Sequence, residues 1–502
     1  MKIIDTSTMI EDDFDKFTLH QIYNGLDACV TYEVLDALLP QLDNYTAGTY
    51  EFSRALQGPA LEMRLRGVRI DNRRRQEVIE EYYESLSALE AQLEYIVSEG
   101  CGLWNFNWRS NSDLKELFYV RLGIPPIRKQ GRITVDRSAL EKMEAYTVAK
   151  PIVRHLEAMR DIGKKIQVLK TAIDSDCRIR TSYNIGGTST GRFSSSFSEF
   201  GTGTNLQNIE ESLRSVFISD PGMKMAYLDA QQGESRVVGA IEWNLFRDGR
   251  YLDACEGGDL HTAVAKLCWP ELDWPGDLAG DREVAERIYY RHYDRRFMCK
   301  KIGHGSNYGG KPRTLAAQAK VDIDVISDFQ PKYFLAFPAH LRWHADVQQR
   351  LNRTGHLVSL TGRKRWFLGR RSDDSTLREA IAYDPQGSLA DILNGGMLNV
   401  WRSTVGCQLL MQIHDAILIQ YPEEQEDKII PKVLKQLEQP LALKHDRELV
   451  IPYDAKVGWN WGKYDSSENV DGLKTWKGGD TRQRTKEMHL LDRPVRRAYR
   501  RG

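Results

Sequence analysis

Apolar and polar positions alternate with a helical period through much of the first third of the chain. Within residues 51–100, the run EEYYESLSALEAQLEYIV brings apolar residues back every three or four positions, predicting one long helix with a Glu-rich outer face. A loop-rich stretch ending in Pro125-Pro126 follows. Next comes SALEKMEAYTVAKPIVRHLEAMRDIGKKIQVLKTAI, a second helical region that Pro151 should break or kink. From 177 to 210 the periodicity vanishes and Gly, Ser, Thr and Asn take over, so an extended loop is expected. MKMAYLDA then reads as a buried strand ending on Asp229, with QQGESRVVGAIEWN as the helix after it. CQLLMQI and AILIQY are two β-rich runs joined by the polar pair His414-Asp415. Each Asp alone has an ordinary explanation as a turn former or helix N-cap.

Composition narrows the class. The 502 residues leave room for about three domains or one multi-lobed enzyme. With 41% hydrophobic and 28% charged residues, the chain is neither disordered nor a membrane protein. No window approaches the ~18 to 20 apolar residues that span a bilayer, so no membrane partner is expected. The acidic start lacks the pattern of a secretory or transit peptide, which makes cytoplasmic residence the expectation. Seven cysteines are scattered without a CxxC pair, which indicates neither a zinc site nor a disulfide framework and fits a reducing compartment. Basic and acidic residues balance at 70 each, so net charge does not point to nucleic acid. Two basic runs, Arg287 to Arg313 and Arg363 to Arg371, read individually as solvated faces.

The two carboxylates gain meaning from a third segment. Phosphoryl transfer with divalent metals needs acids fixed on rigid elements and a grip for a triphosphate. In YYRHYDRRFMCKKIGHGSNYGG, Arg296, Lys300, His304 and Tyr308 recur at intervals of four; at 3.6 residues per turn each step drifts about 40°, so all four share one helix face. None is aliphatic, so a core stripe is a poor explanation. A guanidinium and an ammonium one turn apart can hold phosphate oxygens, and the two rings can meet a sugar and a base.

The ordered motifs resemble those of the family A DNA polymerases, the class of bacterial DNA polymerase I and many phage replicases, over residues ~50 to 464. STSTGRFSSSFSEFGTGTNLQNI is similar to the TGRLSS…NLQNIP block, with an insertion and with Glu210 for Pro. LDAQQGESR resembles motif A through Asp229, Gln232, Glu234 and Arg236. RFMCKKIGHGSNYGG resembles motif B, and His414-Asp415 motif C. Asp259-Leu260-His261, TGRKR at 361–365, Arg378, PQGSLAD and the closing KVGWNWG add to the likeness.

The resemblance implies an α/β (α+β) right-hand fold with an antiparallel palm sheet. Residues 1–50 would be an exonuclease-like remnant or docking helix, 51–172 the palm edge and thumb, 173–255 palm, 256–352 fingers, 353–464 palm again and 465–502 a basic tail. It further implies template-directed extension of a DNA primer with dNTPs. Asp229 and Asp415, helped by the Ala230 carbonyl, would hold two Mg²⁺, with Mn²⁺ able to substitute. Arg296 and Lys300 would bind the triphosphate, and Lys300 would protonate the leaving pyrophosphate. Gln232, Glu234, His304 and Tyr308 would surround the nucleotide. Arg192, Asn205, Gln207, Asn208, Arg378, Gln386 and His414 would contact primer-template DNA.

Three positions depart from the family pattern: Ala416 where motif C has Glu, His304 where motif B has an aromatic ring, and Ala382 where Asn is usual. The upstream 3′–5′ exonuclease is reduced to Tyr23 and Asp27 on one helix, read as docked on the palm, so intrinsic proofreading is not expected. A separate exonuclease subunit or another replication partner remains open, as does the role of the tail ending RPVRRAYRRG. The main enzymatic alternative is a single-subunit RNA polymerase, against which Glu234 speaks, because its bulk would crowd a ribose 2′-hydroxyl. A silent DNA-binding scaffold would need none of Asp229, Lys300 and Asp415.

Overall fold

A five-stranded antiparallel sheet forms the centre of the molecule. Its strands are β1 (Met223–Ala230), β2 (Gln408–Ile413), β3 (Ala416–Pro422), β4 (Tyr453–Gly458) and β5 (Lys474–Thr475), in the order β2-β3-β1-β4-β5. The computed structural model describes residues 16–198, 201–403 and 406–478. Strand alternation divides the sheet's residues between two cores. Ala226, Leu228, Ile417, Ile419 and Val457 join the larger one, while Met225, Leu410, Ile413 and Leu418 join the other with Val68, Phe217 and Trp461. Each buried Leu, Ile, Val, Met or Phe among them contributes about 1.5–3 kcal/mol, which fixes the register against a one-residue slip. Strand β5 lies beyond the boundary at 464 expected from the sequence, and Leu473 just before it is buried, so the central sheet continues to residue 475. A polar stretch with one buried leucine gives too weak a period to be read as a strand. Residues 479–502, which carry most of the expected basic tail, lie outside the described residues, as do residues 1–15.

The first helix, α1 (Lys16–Leu38), carries Tyr23 and Asp27. None of its described side chains is buried, and Phe17 and Tyr32 are largely exposed. The sequence suggested a helix docked on the palm; its apolar residues run round the axis and form no single stripe to bury. Next, α2 (Asn72–Cys101) and α3 (Lys150–Leu169) pack together over a separate core of Leu86, Leu93, Val97, Leu156, Met159 and Ile166. The Asp71 carboxylate caps α2 by accepting from the Arg74 N–H at 3.0 Å. Pro151 stands in the first turn of α3, where its missing N–H costs nothing, so the expected break is a helix start.

Following β1 are α4 (Gly233–Phe246), α5 (Arg250–Glu256) and α6 (Leu260–Cys268). A Cβ on Gly239 would meet the Leu252 backbone at 2.7 Å, so only glycine allows α4 to lie this close to α5. The candidate phosphate-gripping segment, α7, is composite: Arg295–Met298, a π turn Cys299–Gly303, then His304–Asn307. Behind it stand α8 (Ile323–Ala336) and α9 (Pro338–Thr354), while α10 (Asp374–Arg402) and α11 (Glu426–Leu437) complete the larger core.

Two expectations change here. Residues 177–210 are not wholly loop, because Ser182–Asn184 pairs with Ser194–Ser196. The second basic run is largely internal wiring: Arg363 binds Asp391 at 2.6 Å, Lys364 binds Asp43 at 2.6 Å, and Arg365 pairs with Glu379.

Candidate active site

The sheet brings the two motif carboxylates together by register. Asp229, one residue from the end of β1, stands opposite Ala416 on β3, and Asp415 is the residue before Ala416. The Ala230 N–H donates to the Asp415 carbonyl at 3.1 Å, which pins the strand end to the turn. That turn has only two residues, and its first, His414, is exposed at φ 49°. A non-glycine residue at positive φ is strained by about 1–3 kcal/mol. The turn is braced from behind, where the Gln412 Nε2 donates to the His414 carbonyl at 2.6 Å and Gln207 donates to the Gln412 Oε1 at 2.8 Å.

Electrostatics mark the pair as a place for a cation. Burial and then the Asp415 charge raise the Asp229 carboxyl to about 6. Asp415 is also raised, first by burial, although Arg192 opposes the shift. Among the described residues no group of three or more His, Cys, Asp or Glu side chains forms a metal cage. Two raised carboxylates and the Ala230 carbonyl are nonetheless a fitting oxygen set for Mg²⁺, which commonly takes one or two protein carboxylates and fills its octahedron with water and substrate phosphate. Ala416 is fully buried, so nothing acidic extends from the motif C position. On the other side of Asp229, however, Asp454 of β4 is its direct cross-strand partner, and it accepts from Gln231 at 2.5 Å.

Glu234, in the first turn of α4, links these acids to α7. Its carboxylate accepts from Arg192 at 2.5 Å and from the Tyr308 hydroxyl at 2.5 Å, and the same Arg192 nitrogen donates to Asp415 at 3.2 Å. The His304 Nε2 stands 3.8 Å from Glu234, and its ring meets Tyr308 edge to face at 5.2 Å. The other end of the segment is held separately. Arg296 makes a two-pronged contact with Asp259, at 2.9 and 3.3 Å, and Asp259 also caps α6. Lys300 is exposed and has no ion pair among the described residues. The regular-helix expectation needs correction: the chain makes a π turn between Arg296 and His304, and Tyr308 lies just past the last helical residue. Spacing at intervals of four survives because a π turn widens the helix locally. Half-buried His261, held down to about 4 first by desolvation and then by the Arg296 charge, lies beside this cationic end.

The remaining candidates are dispersed. Gln207 is buried behind the turn, where it acts as a brace. Asn205 accepts from Ser195 at 2.5 Å and caps the short turn Leu206–Asn208, with Asn208 exposed. Gln232 precedes α4 at φ 54°, and its Oε1 is buried without a partner. Gln386 is half-buried on α10, and Arg378 pairs with Asp374 at 2.5 Å on that helix's exposed first turn. Sequence reasoning missed Gln412 and Asp454. The alternation in YDAKVG marks 454 and 456 as one face, but only the pairing of β4 with β1 puts that face beside Asp229.

Comparison with known proteins agrees with this architecture. Residues 73–463 match the family described as DNA polymerase family A, and the chain belongs to that family. It is 26% identical over 429 residues to the thermostable DNA polymerase I of Thermus aquaticus, covering 80% of this chain and 48% of that protein. DNA polymerase I of Chloroflexus aurantiacus is 26% identical over 468 residues, covering 88% and 46%. The chain thus spans about half the length of these relatives. Its fold matches the POL domain of Pol1 from M. smegmatis, solved in complex with DNA primer-template and dNTP, with a TM-score of 0.67 at 23% identity over 81% of this chain and 69% of that one. No helix among the described residues is long and apolar enough to cross a membrane.

Proposed function

We propose that this chain is a template-directed DNA polymerase, adding deoxynucleotides to a primer 3′ end by two-metal-ion nucleotidyl transfer. The observation that carries the reading is the continuous contact from Asp415 through Arg192 and Glu234 to Tyr308, which joins the paired carboxylates to the segment bearing Arg296 and Lys300. Asp229, Asp415 and the Ala230 carbonyl hold the Mg²⁺ ions, with Mn²⁺ as a substitute. Bound there, the metal supplies activation of the primer 3′-oxygen and charge stabilisation at the leaving group. Arg296, oriented by Asp259, and the free Lys300 ammonium grip the triphosphate, and Lys300 gives a proton to the departing pyrophosphate. Glu234 lies under the sugar and excludes a 2′-hydroxyl by bulk, which favours DNA synthesis over RNA synthesis. Arg192 and His414, flanking Asp415, follow the minor groove of the primer terminus, where acceptors shared by all base pairs let shape be read without sequence. Asn205, Asn208, Arg378 and Gln386 contact the duplex further out.

We further propose that these 502 residues do not trim a mismatched 3′ end, since Tyr23 and Asp27 alone resemble exonuclease positions. Primer extension with each dNTP and rNTP in Mg²⁺, with unextended primer followed in parallel, tests both readings. Extension by dNTPs without shortening of a mismatched primer is the expected result. Failure to extend overturns the first reading, and trimming by the purified chain overturns the second, whether or not it survives Asp27→Ala.

A further inference from the structure

Beneath α7 lies a buried polar network that the proposed chemistry does not use. Glu242 of α4 and His340 of α9 are 1% and 0% exposed, and the His340 Nδ1 touches the Glu242 carboxyl. The His340 Nε2 is 3.2 Å from the Tyr333 hydroxyl of α8, Tyr333 donates to the Asn307 Oδ1 at 2.6 Å, and the Asn307 amide donates to the Tyr251 hydroxyl of α5 at 2.8 Å. From α9, the His344 Nε2 is 2.7 Å from the Asn307 carbonyl. The residue before Asn307 is held as well, because Gln330 donates to the buried Ser306 hydroxyl at 3.0 Å.

Proton accounting gives the chain a direction. Tyr333 has one hydrogen and uses it on Asn307, so His340 must donate its Nε2–H to the Tyr333 oxygen. The Nδ1 contact then holds one proton between His340 and Glu242, whichever of the two carries it. Burial keeps the Glu242 carboxyl above its ordinary range, in keeping with a shared proton. Burying such a pair is costly compared with an apolar filling of equal volume, so stability alone is a poor reason for it.

The path also closes on itself. Tyr308 touches α4 at Glu234, and Asn307 returns to α4 through Tyr333, His340 and Glu242, eight residues or about 12 Å further along the helix. Apolar packing would hold the end of α7 against α4 but tolerate sliding and rotation, whereas a closed ring of directed hydrogen bonds accepts one arrangement.

We propose that Glu242, His340, Tyr333 and Asn307 are positioning residues that fix the seat of Tyr308 against Glu234, and thereby set how tightly and selectively the incoming nucleotide's sugar is held. This rests on the reading of α7 and Glu234 as the nucleotide-binding face. Two variants of the full chain test it by steady-state extension with dNTPs and rNTPs. Tyr333→Phe removes one buried hydroxyl, and Glu242→Met with His340→Phe replaces the ionisable pair by apolar side chains of similar size. In both, KM for dNTP should rise about tenfold and discrimination against rNTP should fall, while kcat and primer-template affinity change by less than about twofold. The double variant should keep a melting temperature near that of the wild type. If both variants keep wild-type KM and sugar discrimination, the network is packing only and the inference fails. Lys300→Ala is the control for the underlying reading: an unchanged dNTP KM there overturns the assignment of α7 itself, whereas a raised KM beside silent network variants overturns the positioning role alone.

Discussion

Asp229 and Asp415 are held by the sheet, whereas Arg296, Lys300, His304 and Tyr308 ride on a segment whose shape depends on what lies behind it. In the sheet, pairing Ala416 with Asp229 brings the two acids together, and the two-residue turn leaves Asp415 little freedom. On α7, Arg296 and Tyr308 owe their positions to partners far away in sequence. Asp259 sets Arg296, Glu234 sets Tyr308, and the buried network sets Asn307. β geometry therefore carries chemistry that a strand-ending Asp already announces, while a helical spacing announces the ligand type and leaves the partners unstated.

The sharpest way to break this comparison is to remove charge at the strand end. Asp229→Asn and Asp415→Asn should each lower single-turnover extension by at least ~10²-fold, because a neutral amide keeps the shape but not the metal affinity. Primer-template affinity should hold. Rates near wild type in either variant would take the acids out of the reaction.

On the helix side the largest effect is expected at the hub. Glu234→Gly removes the acceptor for Tyr308 and Arg192 and, on the proposed reading, the bulk beneath the sugar. Use of rNTPs relative to dNTPs should rise by ~10 to 10²-fold, each factor of ten corresponding to ~1.4 kcal/mol. An unchanged ratio would mean that Glu234 is only a structural tie.

The same contrast explains what the sequence could convey. The strand into Asp229, the hairpin around His414-Asp415 and the long helix α2 were legible because their periods are local. The π turn was not, since four-residue spacing suits it as well as an α-helix. Gln207 was read as a DNA contact from its motif, yet it faces Gln412, a residue 205 positions away. Glu242 and His340 look like ordinary surface polar residues on amphipathic helices until α4 and α9 are packed together.

A smaller effect should follow at the ion pair. Asp259→Asn can keep its cap on α6 while losing the charge that orients Arg296. KM for dNTP should rise by ~3 to 10-fold with kcat nearly unchanged, since the guanidinium is still present but less well placed. An equal loss in kcat would move Arg296 from binding to the transition state.

The smallest effect concerns stability, and its sign follows from Asp229. The carboxyl is raised to about 6 in the fold, from 3.8 when unperturbed, chiefly by burial and next by Asp415. Below the unperturbed value it is protonated in both states and carries no penalty. Between the two values the folded protein binds more protons than the unfolded chain, so stability falls as pH rises and then levels off above about 6. Asn is neutral throughout. In EDTA, Asp229→Asn should therefore melt about 2 °C above wild type at pH ~7.5, and the gap should close by pH ~4. Adding Mg²⁺ at pH ~7.5 should narrow it as well, because a bound cation relieves the repulsion in the wild type alone. A gap independent of both pH and Mg²⁺ would mean that Asp229 behaves as an ordinary solvated carboxylate, and the strand end would then lose the electrostatic character that sets it apart from the helix.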